Sequence, residues 1–238
     1  MGGDSISGPE ACQGKGSPDM PRYPLVFFDL DGTLADSRPG IVAAVRHALG
    51  RMGREAPPDG DLTRFIGPPI TRSMRMFCGM SEADARAAYG HFREHYQAAG
   101  IYDQALYPGV PEMLDGLAAA GARMAIVTGK ITRNADEAAR FLGLAPRFAL
   151  VAGSELDGAR QDKADTIRYA LDRLDPERRL PAVMVGDRDL DILGARGAGV
   201  DSVGALWGYG PRAELEAAGA GWLAASPLDL LAYLAAEA

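Results

Sequence analysis

The chain has 238 residues, 47% of them hydrophobic, enough for a sizeable core in one large domain or two smaller ones. Its formal net charge is −7 without a Lys/Arg cluster, which argues against nucleic acid and anionic membrane as partners. Two cysteines, Cys12 and Cys78, make no disulfide framework, so a reducing cytoplasm is the expected location; no apolar run is long enough to span a membrane, and the N-terminus lacks an apolar signal core.

Residues 1–22, rich in Gly, Ser, Pro and Asp without periodicity, read as a disordered leader. The apolar run in residues 24–29 then predicts a buried strand of a parallel sheet. Side chains at i and i+2 of an extended chain share a side, so Asp29 and Asp31 should project together where the strand stops. Two carboxylates there repel each other and lose hydration, and they need a cation or a shared proton. Gly32 lets the backbone turn sharply. Asp36-Ser37 followed by Pro39 opens a helix, which makes Asp36 a cap or turn residue rather than a ligand.

Residues 38–105 contain no convincing strand. Ile41, Val42, Val45, Ala48 and Leu49 recur at helical spacing, Pro57-Pro58 breaks the chain, and Phe65 to Ile70 form a rigid apolar loop before another helical stretch. Ser81 through Ala99 reads as one more helix, opened by Ser81 with Asp84 three residues on.

After Tyr107-Pro108-Gly109 the pattern alternates. Helices are expected over residues 110–120, 132–142, 163–174, 189–197 and 211–218; strands over 123–127, 148–151, 182–185 and a last one over 202–206. Such alternation implies an α/β fold, a Rossmann-like parallel sheet with helices on both faces, carrying an inserted helical cap domain. The expected division is a leader over 1–22, a catalytic core over 23–37 and 107–238, and a cap over 38–106.

Ligands of such sheets bind beyond the carboxyl ends of the strands. Three apolar strands end in polar pairs there: Asp29 with Asp31, Thr128 with Gly129, and Gly186 with Asp187. Together with Lys163 and Asp191 they form an oxygen-rich set that suits Mg²⁺. Thr128 and the Gly129 N–H offer donors to phosphate oxygens, and Lys163 offers a point charge beside a helix start. These are the requirements of phosphoryl transfer, in which one aspartate can attack phosphorus and the other move protons.

Asp29-Leu30-Asp31-Gly32-Thr33-Leu34, Ile126-Val127-Thr128-Gly129, Lys163, and Gly186-Asp187 with Asp191 resemble, in order, the four motifs of the haloacid dehalogenase-like hydrolase superfamily. The resemblance implies that Asp29 is the nucleophile and a Mg²⁺ ligand. Asp31 would be the general acid/base with its main-chain carbonyl on the metal, and Asp187 a metal ligand. Thr128, Gly129 and Lys163 would bind phosphate, with Asp191 in the outer shell of the metal. An aspartate at Asp31 points to phosphate rather than halide chemistry, in the phosphoglycolate phosphatase-like or 5′-nucleotidase-like branches. The expected activity is Mg²⁺-dependent hydrolysis of small phosphorylated metabolites through an aspartyl-phosphate. A phosphomutase acting on sugar phosphates, or a non-catalytic phosphate-sensing or partner-binding protein, are the alternatives; oligomeric state is left open.

Arg64 and Arg72 flank the apolar loop of the cap and are candidates for a second acidic group on the substrate. His91 and His95 share a helical face but lack a third ligand, so a surface helix accounts for them. Trp207 and Tyr209 read as packing residues, and the glycines from Gly194 to Gly199 as a helix end and turn.

Overall fold

The computed structural model describes residues 21–235. The expected leader and Cys12 lie outside the described residues, save for Pro21 and Arg22.

β1 (Leu25–Phe28) is buried at every position. Val26 and Phe28 enter one apolar cluster, Leu25 and Phe27 another, so the period-two alternation of a strand feeds both faces of the sheet. β4 (Arg123–Ile131) and β6 (Ala182–Gly186) flank it in parallel register, with Phe28 opposite Ile126 and Val185. β5 (Leu150–Ser154) adds beyond β4, and β7 (Asp201–Ala205) and β8 (Trp222–Ala224) add beyond β6, giving the all-parallel order β5-β4-β1-β6-β7-β8. α5 (Val110–Ala119), α6 (Thr132–Phe141) and α10 (Pro227–Ala235) cover the Phe28 face, whereas α7 (Lys163–Leu174) and α8 (Asp189–Ala198) cover the Phe27 face, with α9 (Arg212–Ala218) packed on Ile192 of α8. This is the expected α/β, Rossmann-like architecture.

Two strand assignments change. The strand expected to be last is followed by β8, three residues just after Gly219 and Gly221, too short for alternation to be read; Trp222 is held by stacking on Tyr233 of α10 at 4.1 Å. The stretch expected to be free of strands ends in β3 (Ala105–Leu106), which pairs antiparallel with β2 (Ala35–Asp36). Their pairing closes a clasp from which a helical segment departs and returns, built of α1 (Arg38–Arg51), α2 (Asp59–Leu62), α3 (Ile70–Cys78) and α4 (Glu82–Ala98). The Ser81 hydroxyl accepts the Asp84 N–H at 3.1 Å at the start of α4, as the capping pattern predicts. Ile41, Leu49, Phe65 and Phe92 of this segment join the cluster that covers the Phe28 face, which seats the segment on the core.

Candidate active site

β4, β1 and β6 are neighbours, so Thr128, Asp29 and Asp187 at their carboxyl ends are brought together by the strand order. Asp29, Asp187 and Asp191 are buried, and each offers an oxygen within 4.8 Å of the others. Local backbone makes the crowding possible. Gly32 has φ +88°, a conformation that favours glycine, and a Cβ there would overlap the Asp187 carboxylate; Gly208 and Gly210 press on Asp187 from the loop after β7. Asp187 is fixed by the Thr33 hydroxyl, which donates to Oδ1 at 3.0 Å, and by the Tyr209 N–H, which donates to Oδ2 at 2.8 Å. Asp191 accepts the Arg188 N–H on Oδ2 at 3.1 Å, closing the first turn of α8.

Lys163, at the start of α7, places Nζ 3.0 Å from Asp29 Oδ1 and 2.7 Å from Asp191 Oδ1, and donates to the Val127 carbonyl at 3.2 Å. Burial works against its charge, but the carboxylates of Asp191 and Asp29 outweigh burial and hold its pKa above the ordinary lysine value. Burial pushes Asp187 up to about 8, helped by the charges of Asp191 and Asp29. Burial raises Asp191 as well, opposed by Lys163.

The donor set fits a hard divalent cation. All the converging ligand atoms are carboxylate oxygens, the hard donors that such an ion takes. In the cluster itself Asp29, Asp187 and Asp191 meet one ammonium group, Lys163, an excess of acidic groups that a divalent cation would offset as Asp187 gives up its proton.

The Asp31 carboxylate stands apart from this cluster. Its Oδ1 is bound by Lys130 Nζ at 2.7 Å, and the same Nζ donates to the Tyr96 hydroxyl on α4 at 2.6 Å. Lys130 is not among the residues expected at the site, although it follows Thr128 at the i+2 spacing that puts strand side chains on one side. Thr128 is buried, and the loop around Gly67 approaches Gly129. Arg64 and Arg72 are not brought to this site. Arg64 pairs with Asp61 at 2.9 Å and lies over the Phe77 ring, and Arg72 lines a separate depression with Arg75 and Met76. Asp36 accepts the Arg38 N–H at 3.1 Å and the Tyr209 hydroxyl at 2.8 Å, so it serves the helix start and the loop after β7. Trp207 donates to the Thr33 carbonyl at 2.9 Å, pinning that loop to the turn after β1. His95 packs against His47 at 5.0 Å between α4 and α1.

Beyond the carboxylates opens a cleft of about 400 Å³. Phe65, Tyr89, Phe92 and Tyr96 of the helical segment wall it, and Asp31, Lys130 and Asn134 line its core side. Tyr89, Phe92 and Tyr96 form a continuous stack, with successive ring centroids at 6.3 and 5.3 Å. Arg188 crosses from the core to this segment: Nη1 donates to the Ile66 carbonyl at 2.7 Å while Nε pairs with Glu214 at 2.8 Å.

A parallel α/β sheet with paired aspartates at its central strand end and a lysine between carboxylates defines a class of phosphoryl-handling enzymes. A family model described as haloacid dehalogenase-like hydrolase matches residues 26–205, and the chain belongs to that family. It is 40% identical to a 5′-nucleotidase of Pseudomonas aeruginosa, over 82% of this chain and 88% of that protein. It is 34% identical to a phosphoglycolate phosphatase of Agrobacterium fabrum, over 82% of this chain and 87% of the other. The solved structure of protein tyrosine kinase A (PtkA) of Mycobacterium tuberculosis superposes with a TM-score of 0.78 at 36% identity, covering 89% of this chain and 98% of that one. The chain spans 63% of the full length of that kinase.

Proposed function

We propose that this phosphoric monoester hydrolase is a Mg²⁺-dependent phosphatase of small phosphorylated metabolites, and that it works through an aspartyl-phosphate on Asp29. The observation that carries the reading is the convergence of Asp29, Asp187 and Asp191 within 4.8 Å, with Lys163 against two of them. Asp29 and Asp187 would hold the ion with the Asp31 main-chain carbonyl, and Asp191 completes the acidic set beside Lys163. Bound there, Mg²⁺ supplies charge neutralisation to the phosphoryl oxygens.

The remaining work belongs to the chain. Thr128, the Gly129 N–H and Lys163 orient the phosphoryl group. An Asp29 oxygen attacks phosphorus as the ester P–O bond breaks, and Asp31 gives a proton to the departing oxygen to release the alcohol. Water then attacks the phosphorus of the aspartyl-phosphate, its proton passes to Asp31, and the P–O bond to Asp29 breaks to free phosphate. Residues 23–37 and 107–238 act as the catalytic core and residues 38–106 as a cap that selects the substrate and excludes water. Phosphoglycolate and nucleoside monophosphates are the substrates considered. The stacked wall of Tyr89, Phe92 and Tyr96 and the size of the cleft favour a planar leaving group such as a nucleoside.

Phosphate release across phosphoglycolate, nucleoside monophosphates and sugar phosphates tests the reading. Stoichiometric release that stops in chelator and returns with Mg²⁺ supports it. Full activity in chelator, or isomerised sugar phosphate with little free phosphate, overturns it.

A further inference from the structure

We propose that Lys130 is a positioning residue for Asp31: it holds one oxygen of that carboxylate, leaves the other for the leaving group, and ties it to the cleft wall through Tyr96. The inference rests on the reading of Asp31 as the acid/base of a phosphatase.

Lys130 joins three elements distant in the chain. Its Nζ bonds a carboxylate 99 residues away and a hydroxyl 34 residues away, so the end of β1, the end of β4 and α4 meet on one ammonium group. The Lys130 side chain is only 7% exposed. A buried ammonium loses its hydration and is kept only where its partners are well placed, which separates this pair from the surface ion pairs elsewhere on the chain. Asp31 Oδ1 is occupied by Lys130, and Oδ2 has no hydrogen-bond partner among the described residues. Asp31 also lines the cleft. Proton exchange with a substrate oxygen therefore falls to Oδ2, whose direction is set by the grip on Oδ1. A group that transfers protons must lie within hydrogen-bond reach of the reacting oxygen, so its orientation is part of its catalytic power.

Tyr96 extends the argument to the helical segment. Its ring ends the aromatic stack that walls the cleft, and its hydroxyl shares Nζ with Asp31. A leaving group seated against that stack and the carboxyl that protonates it thus share one support.

The test is the dependence of kcat/KM on leaving-group basicity, measured on substituted phenyl phosphates of similar size from 4-nitrophenyl to 4-methoxyphenyl phosphate. A misplaced acid slows departure of a basic phenolate more than that of a nitrophenolate. Lys130→Met is expected to lose about hundredfold on the most basic leaving group, as for loss of acid catalysis, with a markedly smaller loss on 4-nitrophenyl phosphate. Its slope should approach that of Asp31→Asn. Tyr96→Phe should steepen the slope in the same sense by a smaller amount, and it carries the test if Lys130→Met does not fold. An equal loss across the series makes Lys130 a substrate-anion binder and overturns the proposal, as does an unchanged slope in both variants. The underlying reading fails separately, if Asp29→Asn retains turnover or Asp31→Asn leaves the slope unchanged.

Discussion

Asp187 is fully buried between Asp29 and Asp191, and its pKa lies near 8 instead of the ordinary 3.8. The folded state therefore keeps a proton that the unfolded chain releases as pH rises from about 4 to about 8. Stability falls with pH wherever the folded state binds more protons, so the contribution present below pH 4 is lost by pH 8. We predict that the melting temperature of metal-free protein declines across this window, and that Mg²⁺ restores more of it at pH 8 than at pH 5. Thermal melts at both pH values with chelator and with Mg²⁺ check this; an equal Mg²⁺ effect at both would disprove it. Asp29→Asn keeps the shape of the side chain while removing its nucleophilic charge. It is expected to abolish hydrolysis of 4-nitrophenyl phosphate with the circular-dichroism spectrum unchanged.

At the scale of elements, β1 carries both the core and the site. Phe28 is fully buried and meets Phe148 edge-on at 6.2 Å, one residue before Asp29. Phe28→Ala should cost about 3–5 kcal/mol of stability through lost burial and the cavity left behind, read as a lowered denaturation midpoint. Because Asp29 takes its position from the pairing of its N–H with the Val185 carbonyl at 2.9 Å, activity should fall in parallel. β4 shows a second use of a strand end: its register shifts between Val127 and Ile131, just where Thr128 and Lys130 leave the sheet for the site.

For the whole molecule, the cleft exists because the chain leaves the sheet at the β2–β3 clasp and lays a helical segment over the strand ends. Arg188 and Lys130 are two polar ties across that boundary, one to the Ile66 carbonyl and one to the Tyr96 hydroxyl. If the aromatic wall receives a nucleobase, Tyr89→Ala should raise KM for a nucleoside monophosphate about tenfold, the worth of a stacking contact of ~1–3 kcal/mol. KM for phosphoglycolate should stay as it is. Parallel steady-state kinetics on the two substrates check the difference, and equal changes would remove the wall from substrate recognition.

Much of this was legible in the chain because the signals are local. The apolar run before Asp29 predicts β1, and Ser81 with Asp84 predicts the start of α4; the i and i+2 spacing did not carry through, because β1 ends at Phe28 and the Asp31 carboxylate turns to Lys130 instead of joining Asp29. Local periodicity likewise marks α7 at Lys163 and β6 before Asp187. Other features depended on partners distant in sequence. β8 and the β2–β3 clasp are too short to carry a pattern and exist through their pairing. Lys130 looked like one more charged residue until Asp31 and Tyr96 arrived on either side of it. Arg64 and Arg72 had suitable charge near the cleft loop, but packing directed one to Asp61 and the other to a separate depression. Periodicity and short-range spacing determine strands, helices and the order of motifs; which side chains finally touch is decided by tertiary packing, because burial makes a charge adopt whatever partner the fold brings within reach.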